Sequence, residues 1–226
     1  MKPLVRVTQL EKFRRWIGGE HGYVTEDDVI AALTGTAPTP PRAAIGTAMH
    51  RIVETGRSEA RHIDGGRAIS VDGREVMLDV AQCRTALAYR AEFPGALHEV
   101  REYADYGDIV VTGCADIING FELRDLKTRF STPRDDDYTD SAQWRMYLEM
   151  FGAETFCFDI FTFEGYDEAR HGTDVRGLAL SRQMPPVTCH YYDDLPADNR
   201  ALVREFTGWA RHRQLLDLLP RHEQIT

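Results

Sequence analysis

The dipeptide Asn119-Gly120 constrains this chain more than any other pair of residues. Asn-Gly between apolar, alternating stretches is the strongest short-range mark of a two-residue β-hairpin, because both central residues of a type I′ turn need φ > 0. With Asn119 and Gly120 as the loop, Ile118 faces Phe121, Ile117 faces Glu122 and Asp116 faces Leu123. Side chains alternate along a strand, so Leu123, Asp125 and Lys127 share the face of Asp116. Asp125 is then the diagonal neighbour of Asp116, about 7–8 Å away at the backbone, and Lys127 lies one pleat further on. Two carboxylates so placed repel unless a cation sits between them, and carboxylate oxygens are preferred ligands of Mg²⁺ and Mn²⁺. A lysine one pleat away can stabilise charge developing on a phosphate or position a water. A D-x-K strand also occurs as a solvated face or a simple ion pair, and the hairpin alone does not separate these readings.

The remaining punctuation predicts one mixed domain, for which 226 residues suffice. Thr8 with Glu11 and Thr25 with Asp28 read as capping boxes that open two helices. Leu10, Phe13, Trp16 and Ile17 share one face of the first, which Gly18-Gly19 ends; Gly35 ends the second. The Pro-rich loop GTAPTPPRA leads to a helix over about 45–59. Short strands are expected near 68–71 and 75–78, a helix near 79–91, and longer strands at about 97–104, 108–118 and 121–128. A helix near 140–151 precedes the strand ETFCFDIFTF, with VRGLALSRQM as its hairpin partner, and a last helix runs from about Ala197 to Leu219. The expected organisation is a single domain over 1–226. It comprises a helical extension at 1–40, a core at 45–165 and a C-terminal helix at 195–220. Its class is α/β (α+β), with a mostly antiparallel central sheet flanked by helices.

Charge and cysteine usage narrow the classes. With 36 acidic against 27 basic residues the net charge is −9, which argues against coating nucleic acid by bulk electrostatics. An acidic metal site beside a locally basic groove stays compatible with that balance. Cys83, Cys114, Cys157 and Cys189 are too scattered for a zinc knuckle, so buried reduced thiols are expected. No run approaches 18 apolar residues and no secretory segment opens the chain, so a cytoplasmic protein without membrane association is expected.

Two helices add polar residues at i, i+4 spacing, which places them on one face. Gly46 and His50 share one, with Glu54 a turn further along; a lone helical histidine is also a common structural residue. Gly46 would let a neighbouring backbone approach. Gln143 and Tyr147 share another with Asp140, a pair suited to phosphates or base edges.

In the order GTAMH (Gly46 to His50), GCAD (Gly113 to Asp116), DLKT (Asp125 to Thr128) and QWRMY (Gln143 to Tyr147), these motifs resemble the PD-(D/E)XK nuclease superfamily. The closest resemblance is to its RecB-like branch, which includes AddB and Cas4 nucleases and related phage exonucleases. The resemblance implies a restriction-endonuclease-like αβββαβ core around a divalent-metal site, Mg²⁺ or Mn²⁺, that hydrolyses DNA phosphodiesters. It implies Asp116 and Asp125 as metal ligands beside the Leu126 carbonyl, and Lys127 as the residue that orients water or stabilises the transition state. His50 would bind metal or the scissile phosphate, and Gln143 and Tyr147 the DNA strand. An acidic residue from the preceding strand is expected too, with Glu99 preferred over Glu102. Asp125 stands where the wider superfamily has Glu. No four-cysteine arrangement is present, so no iron–sulfur cluster is expected, and no Walker-type loop appears.

On this resemblance the expected function is an exonuclease of linear DNA in recombination or repair. A structure-selective or nicking endonuclease on the same site, and an inactive DNA-binding or assembly module, are the alternatives. DNA is the implied partner, with a single-strand annealing protein or a helicase as the kind of protein such a nuclease works beside. Lys12, Arg14, Arg15, Arg124 and Arg129 are candidate backbone contacts, or else ordinary solvated cations. The run Asp135-Asp136-Asp137 has no assigned role.

Overall fold

In a computed structural model that describes residues 1–19, 24–56 and 61–222, the hairpin lies inside a seven-stranded sheet. The chain opens with β1 (Leu4–Arg6), α1 (Val7–Ile17), α2 (Glu26–Thr34) and α3 (Pro41–Thr55). A separate three-stranded antiparallel sheet follows, β2 (Arg61–Ile63), β3 (Gly66–Val71) and β4 (Arg74–Asp79), then α4 (Val80–Ala91). Next come β5 (Leu97–Asp105), β6 (Val110–Asn119) and β7 (Glu122–Arg129), the short α5 (Asp136–Thr139), α6 (Ala142–Phe151) and β8 (Thr155–Phe163). The short helix α7 (Glu168–His171), β9 (Leu180–Arg182), β10 (Val187–His190) and α8 (Leu195–His212) complete the set, followed by one 3₁₀ turn at Leu216–Leu218. The sequence α3–β5–β6–β7–α6–β8 is an αβββαβ core, interrupted by the small sheet and α4.

The main sheet is ordered β1-β6-β7-β8-β10, with β5 on the other edge of β6 and β9 beside β10 on the outer edge of β8. Only β1–β6 and β7–β8 pair in parallel. The second of these needs a crossover, which α5 and α6 provide. One face is covered by α1, α2, α6 and α8 over Phe13, Val111, Met146, Phe156 and Phe206. The other is covered by α3, α4 and the small sheet over Met49, Ile52, Leu78, Tyr89 and Phe161. Each such side chain, fully buried, stabilises by roughly 1.5–3 kcal/mol. Phe13 meets Phe206 edge-on at 5.4 Å, and Trp16 meets Trp209 at 5.5 Å, which fixes α8 against α1.

Several expectations shift. The two-residue loop is Gly120-Phe121, not Asn119-Gly120, because Asn119 pairs with Glu122 and Ile118 with Leu123. Gly120 has φ 64° and Phe121 is not left-handed, so a glycine at the first central position satisfies the hairpin on its own. The register thereby moves Asp116 from the diagonal of Asp125 to the position opposite it. Helix α1 is capped two residues earlier than predicted, at Arg6, whose N donates to the Gln9 side-chain Oε1 at 2.8 Å. Glu11 instead accepts from Ala142 N at 2.7 Å and pairs with Arg14, tying α1 to the start of α6. The Thr25–Asp28 box forms as expected. Helix α3 starts at Pro41, a residue favoured in a first turn, and ends at Gly56 with φ 62°; the predicted continuation over 57–59 lies outside the described residues. The three- and four-residue strands β1 and β10 are too short for periodicity to announce. All four cysteines are free, three of them buried. No described helix is long and apolar enough to cross a membrane.

Candidate metal centre

The site arises where the central hairpin comes apart. β6 and β7 pair only from Ile117–Arg124 to the turn, while β1 takes the same edge of β6 at Val110, Val111 and Thr112. The backbone of Gly113–Asp116 is left without a strand on that side, and buried backbone groups need partners. Tyr147, from α6, supplies one: its hydroxyl donates to the Cys114 carbonyl at 3.0 Å and accepts from Cys114 N at 3.1 Å. A Cβ at position 113 would stand 3.0 Å from the Tyr147 ring, so the glycine makes this approach possible. Across the gap Asp116 answers the backbone of β7, its Oδ2 accepting from Leu126 N at 2.7 Å.

Alternation along β6 also slips here. Val111 and Ala115 join the core under α1 and α6, whereas Ile117 joins the core under α3. The ladder to β5 skips the same point, pairing Val100 with Ala115 and His98 with Ile117 but leaving out Glu99 and Asp116. Glu99 has φ 50°, an uncommon backbone state for a residue with a Cβ and one concentrated at functional sites. Asp116 therefore does not share a plain strand face with Asp125 and Lys127, as alternation alone would require.

Three elements meet at this irregularity. His50 on α3 donates from Nε2 to the Leu126 carbonyl at 2.7 Å and sets Nδ1 3.4 Å from Asp116 Oδ2. One ligand atom each of His50, Glu99 and Asp116 lies within 4.8 Å of the others. Glu102, the alternative to Glu99, is exposed. Asp125 stands just outside that group: Lys127 Nζ is 2.7 Å from its Oδ2, and Gln143 Nε2 donates to its Oδ1 at 2.6 Å. Lys127 also donates to Gln143 Oε1 at 2.9 Å, closing a triangle. His50, Glu99, Asp116, Asp125, Lys127 and Gln143 line a cleft of about 890 Å³.

The electrostatics of the cleft favour a cation. Burial raises the pKa of Asp125 above the ordinary carboxylate range, opposed by Lys127 and reinforced by the charge on Asp116. Burial and Asp116 likewise raise Glu99. At Asp116 burial acts in the same sense, yet His50 and the Leu126 N–H hold its pKa below the usual value. Burial disfavours the charged form of His50, but Asp116 and then Asp125 outweigh it and push its pKa up to about 9. Three carboxylates thus share one lysine and one imidazole.

Other predicted residues have different surroundings. Gln143 and Tyr147, expected to meet DNA, line the cleft but are buried, with their polar atoms engaged by Asp125, Lys127 and Cys114. A Cβ on Gly46 would find Thr128 at 3.8 Å, an ordinary contact, so no close backbone approach depends on that glycine. Arg124 is no open cation: it pairs with Glu122 and with Asp159 at 2.7 Å each. Arg129 and Arg134 both hold Asp137, and Asp135 accepts from Gln183, which accounts for two members of the acidic run.

Asp159, fully buried on β8, carries no motif that marks it in the sequence. Arg182 Nη2 reaches its Oδ1 at 2.6 Å, and Arg124 and the Tyr89 hydroxyl reach Oδ2 at 2.7 and 2.8 Å.

The sequence matches no family model and no curated protein. Solved structures do match in three dimensions. The crystal structure of a Eubacterium rectale protein, provisionally described as an exonuclease, aligns with a TM-score of 0.52 and 11% identity, over 93% of this chain and 80% of that one. The structure of SSO0001 aligns with a TM-score of 0.44 and 17% identity, over 92% of this chain and 77% of that one. The likeness to the E. rectale protein bears on fold: a mixed sheet flanked by helices, as found in that nuclease-like architecture.

Proposed function

We propose that this chain is a divalent-metal-dependent deoxyribonuclease of the PD-(D/E)XK superfamily, in its RecB-like branch, that degrades linear DNA from its ends. The observation that carries the reading is the meeting of His50, Glu99 and Asp116 at the split between β6 and β7, with Asp125 and Lys127 beside them. The E. rectale neighbour, described as an exonuclease, agrees with it.

The donor set fits Mg²⁺ or Mn²⁺. Asp116, Glu99 and Asp125 offer hard oxygens, and Asp125 Oδ2 is a buried atom without a hydrogen bond, held only by the charge of Lys127. The imidazole of His50 favours Mn²⁺ of the two. When bound, such an ion lowers the pKa of a coordinated water and neutralises phosphate charge. The protein's own groups do the rest. Lys127, fixed by Asp125 and Gln143, presents its ammonium to the attacking water or to the phosphate oxygen as negative charge grows there. Tyr147 holds the unpaired backbone of β6, and so the position of Asp116, by its two bonds to Cys114. In this reading Gln143 and Tyr147 position the site rather than grip the strand. Hydrolysis adds water across a P–O bond, leaving one alcohol and one phosphate monoester.

The test is cleavage of linear and covalently closed circular duplex DNA with Mg²⁺, Mn²⁺ or EDTA, using wild type beside Lys127→Ala. Loss of the linear substrate alone, only with metal and only in wild type, is expected. Cutting of the closed circle would instead indicate an endonuclease on the same site. Cleavage of neither substrate, or equal cleavage by the variant, would overturn the proposal.

A further inference from the structure

We infer that Arg6 and Arg101 form a second phosphate-binding subsite in the same cleft, which grips the nucleic-acid backbone one nucleotide away from the bond that is cut. This deepens, and rests on, the nuclease reading above. Both arginines line the cleft with Glu99 and Asp116.

Sheet register places them. Arg6 on β1 pairs with Thr112 on β6, and Arg101 on β5 pairs with Cys114, two residues along. Directly paired residues share a face, so Arg6, Thr112, Cys114 and Arg101 present one surface to the cleft. Arg101 Nη1 reaches Thr112 Oγ1 at 3.4 Å, which sets its guanidinium beside the residue that Arg6 pairs with. Arg101 is two residues from Glu99 on one strand, about 7 Å along it. An extended nucleic-acid strand advances its phosphate by a similar step per nucleotide. A phosphate at the acidic group therefore sets its neighbour at the arginines.

Three arginines line the cleft: Arg51 donates to the Ser70 carbonyl, and the other two are Arg6 and Arg101. The chain has 36 acidic residues against 27 basic ones, and arginines elsewhere are commonly paired: Arg42, Arg61, Arg124, Arg129, Arg182, Arg211 and Arg213 all meet a carboxylate. Among the described residues, neither Arg6 nor Arg101 has a carboxylate within salt-bridge distance. Both are exposed at a cleft whose floor is acidic. Guanidinium groups left without carboxylates in an acid-rich protein suit an anion supplied from outside, and their fork geometry matches phosphate. The positive end of α1, which has no acidic residue in its first turn, opens beside Arg6 and adds to the same field.

The experiment measures binding and cleavage separately. Fluorescence anisotropy in EDTA follows a labelled single-stranded 12-mer and a dinucleotide across a salt series. Hydrolysis of bis(p-nitrophenyl) phosphate with Mn²⁺ reports the acidic site alone. The proteins are wild type, Arg6→Gln/Arg101→Gln, the charge-retaining Arg6→Lys/Arg101→Lys, and Arg211→Ala as a distant control. The glutamine pair should bind the 12-mer roughly 10–100-fold more weakly and flatten the log–log salt slope by about 1–2. The lysine pair should recover most of the slope, and the distant control should behave as wild type. A glutamine pair with the affinity and slope of wild type overturns the subsite, even where the small diester is cleaved and the nuclease reading stands. Absent cleavage of the small diester, with binding that still depends on the two arginines, overturns the nuclease reading and leaves the subsite in place.

Discussion

Asp159 on β8 and Asp125 on β7 sit on adjacent strands at nearly the same depth, 0% and 4% exposed, and the protein treats them in opposite ways. Two guanidinium groups and a phenol surround Asp159, and its arginines stack in turn: Arg124 lies 4.5 Å from the Phe93 ring and Arg182 4.7 Å from that of Tyr89. Both of its oxygens accept hydrogen bonds. Asp125 has one lysine and one amide, and its neighbours Asp116 and Glu99 add negative charge to a cleft open to solvent. A buried carboxylate is costly unless it is fully paired. The first cluster is closed by the chain itself and serves the fold. The second has more carboxylates than cations, which suits it to bind a cation.

Activity and stability should therefore part company between the two clusters. Lys127→Ala or Asp116→Asn is expected to reduce DNA cleavage by at least about 10²–10³-fold, with circular dichroism unchanged. Asp159→Asn should leave the activity per folded molecule within a few-fold of wild type; loss comparable to Lys127→Ala would erase the distinction.

Denaturant melts of metal-free protein should show the reverse. Asp159→Asn takes the shared anion from two half-buried guanidinium groups, which keep Glu122 and Glu92, and is expected to cost about 1.5–3 kcal/mol. Asp125→Asn removes a charge that burial already disfavours, and should cost far less. Equal losses would mean that both clusters are structural.

A smaller contrast concerns two glycines. Gly113→Ala drives a methyl group against the Tyr147 ring and is expected to cost about 1–3 kcal/mol, together with activity. Gly46→Ala meets only an ordinary contact in a helix and should be neutral or stabilise by up to about 1 kcal/mol. Thermal melts of the two variants decide it.

The least of these effects is a pH dependence. The pKa of His50 is about 9 in the folded metal-free protein, above its ordinary value, so its contribution is complete below about pH 6.5 and lost as pH rises through 9. With its side chain 30% exposed, that contribution is on the order of 1 kcal/mol. Metal-free wild type should lose stability over this range, and His50→Gln should lose less. Parallel curves would remove the His50–Asp116 coupling from the account.

Helical spacing and strand alternation are local, which is why the sequence already places His50 on one helix face, Gln143 and Tyr147 on another, and Asp125 with Lys127 on one strand face. The turn lies one residue beyond Asn-Gly because Asn-Gly and Gly-X both make two-residue hairpins, and nothing local chooses between them. The slip at Asp116 is illegible for a related reason: it depends on β1 and β7, more than a hundred residues apart in sequence, dividing one edge of β6. The Asp159 cluster joins residues 23, 35 and 70 positions away, so no window of sequence contains it. The partial charges of the site were readable; the gap that brings them together was not.

The most direct test of the cation site is a calorimetric titration of Mn²⁺ into EDTA-treated, dialysed protein, with wild type, Asp116→Asn and Asp159→Asn side by side. Saturable binding by wild type and Asp159→Asn, abolished in Asp116→Asn, is the predicted result. Binding alike in all three, or in none, would contradict the assignment of the split hairpin as a metal centre.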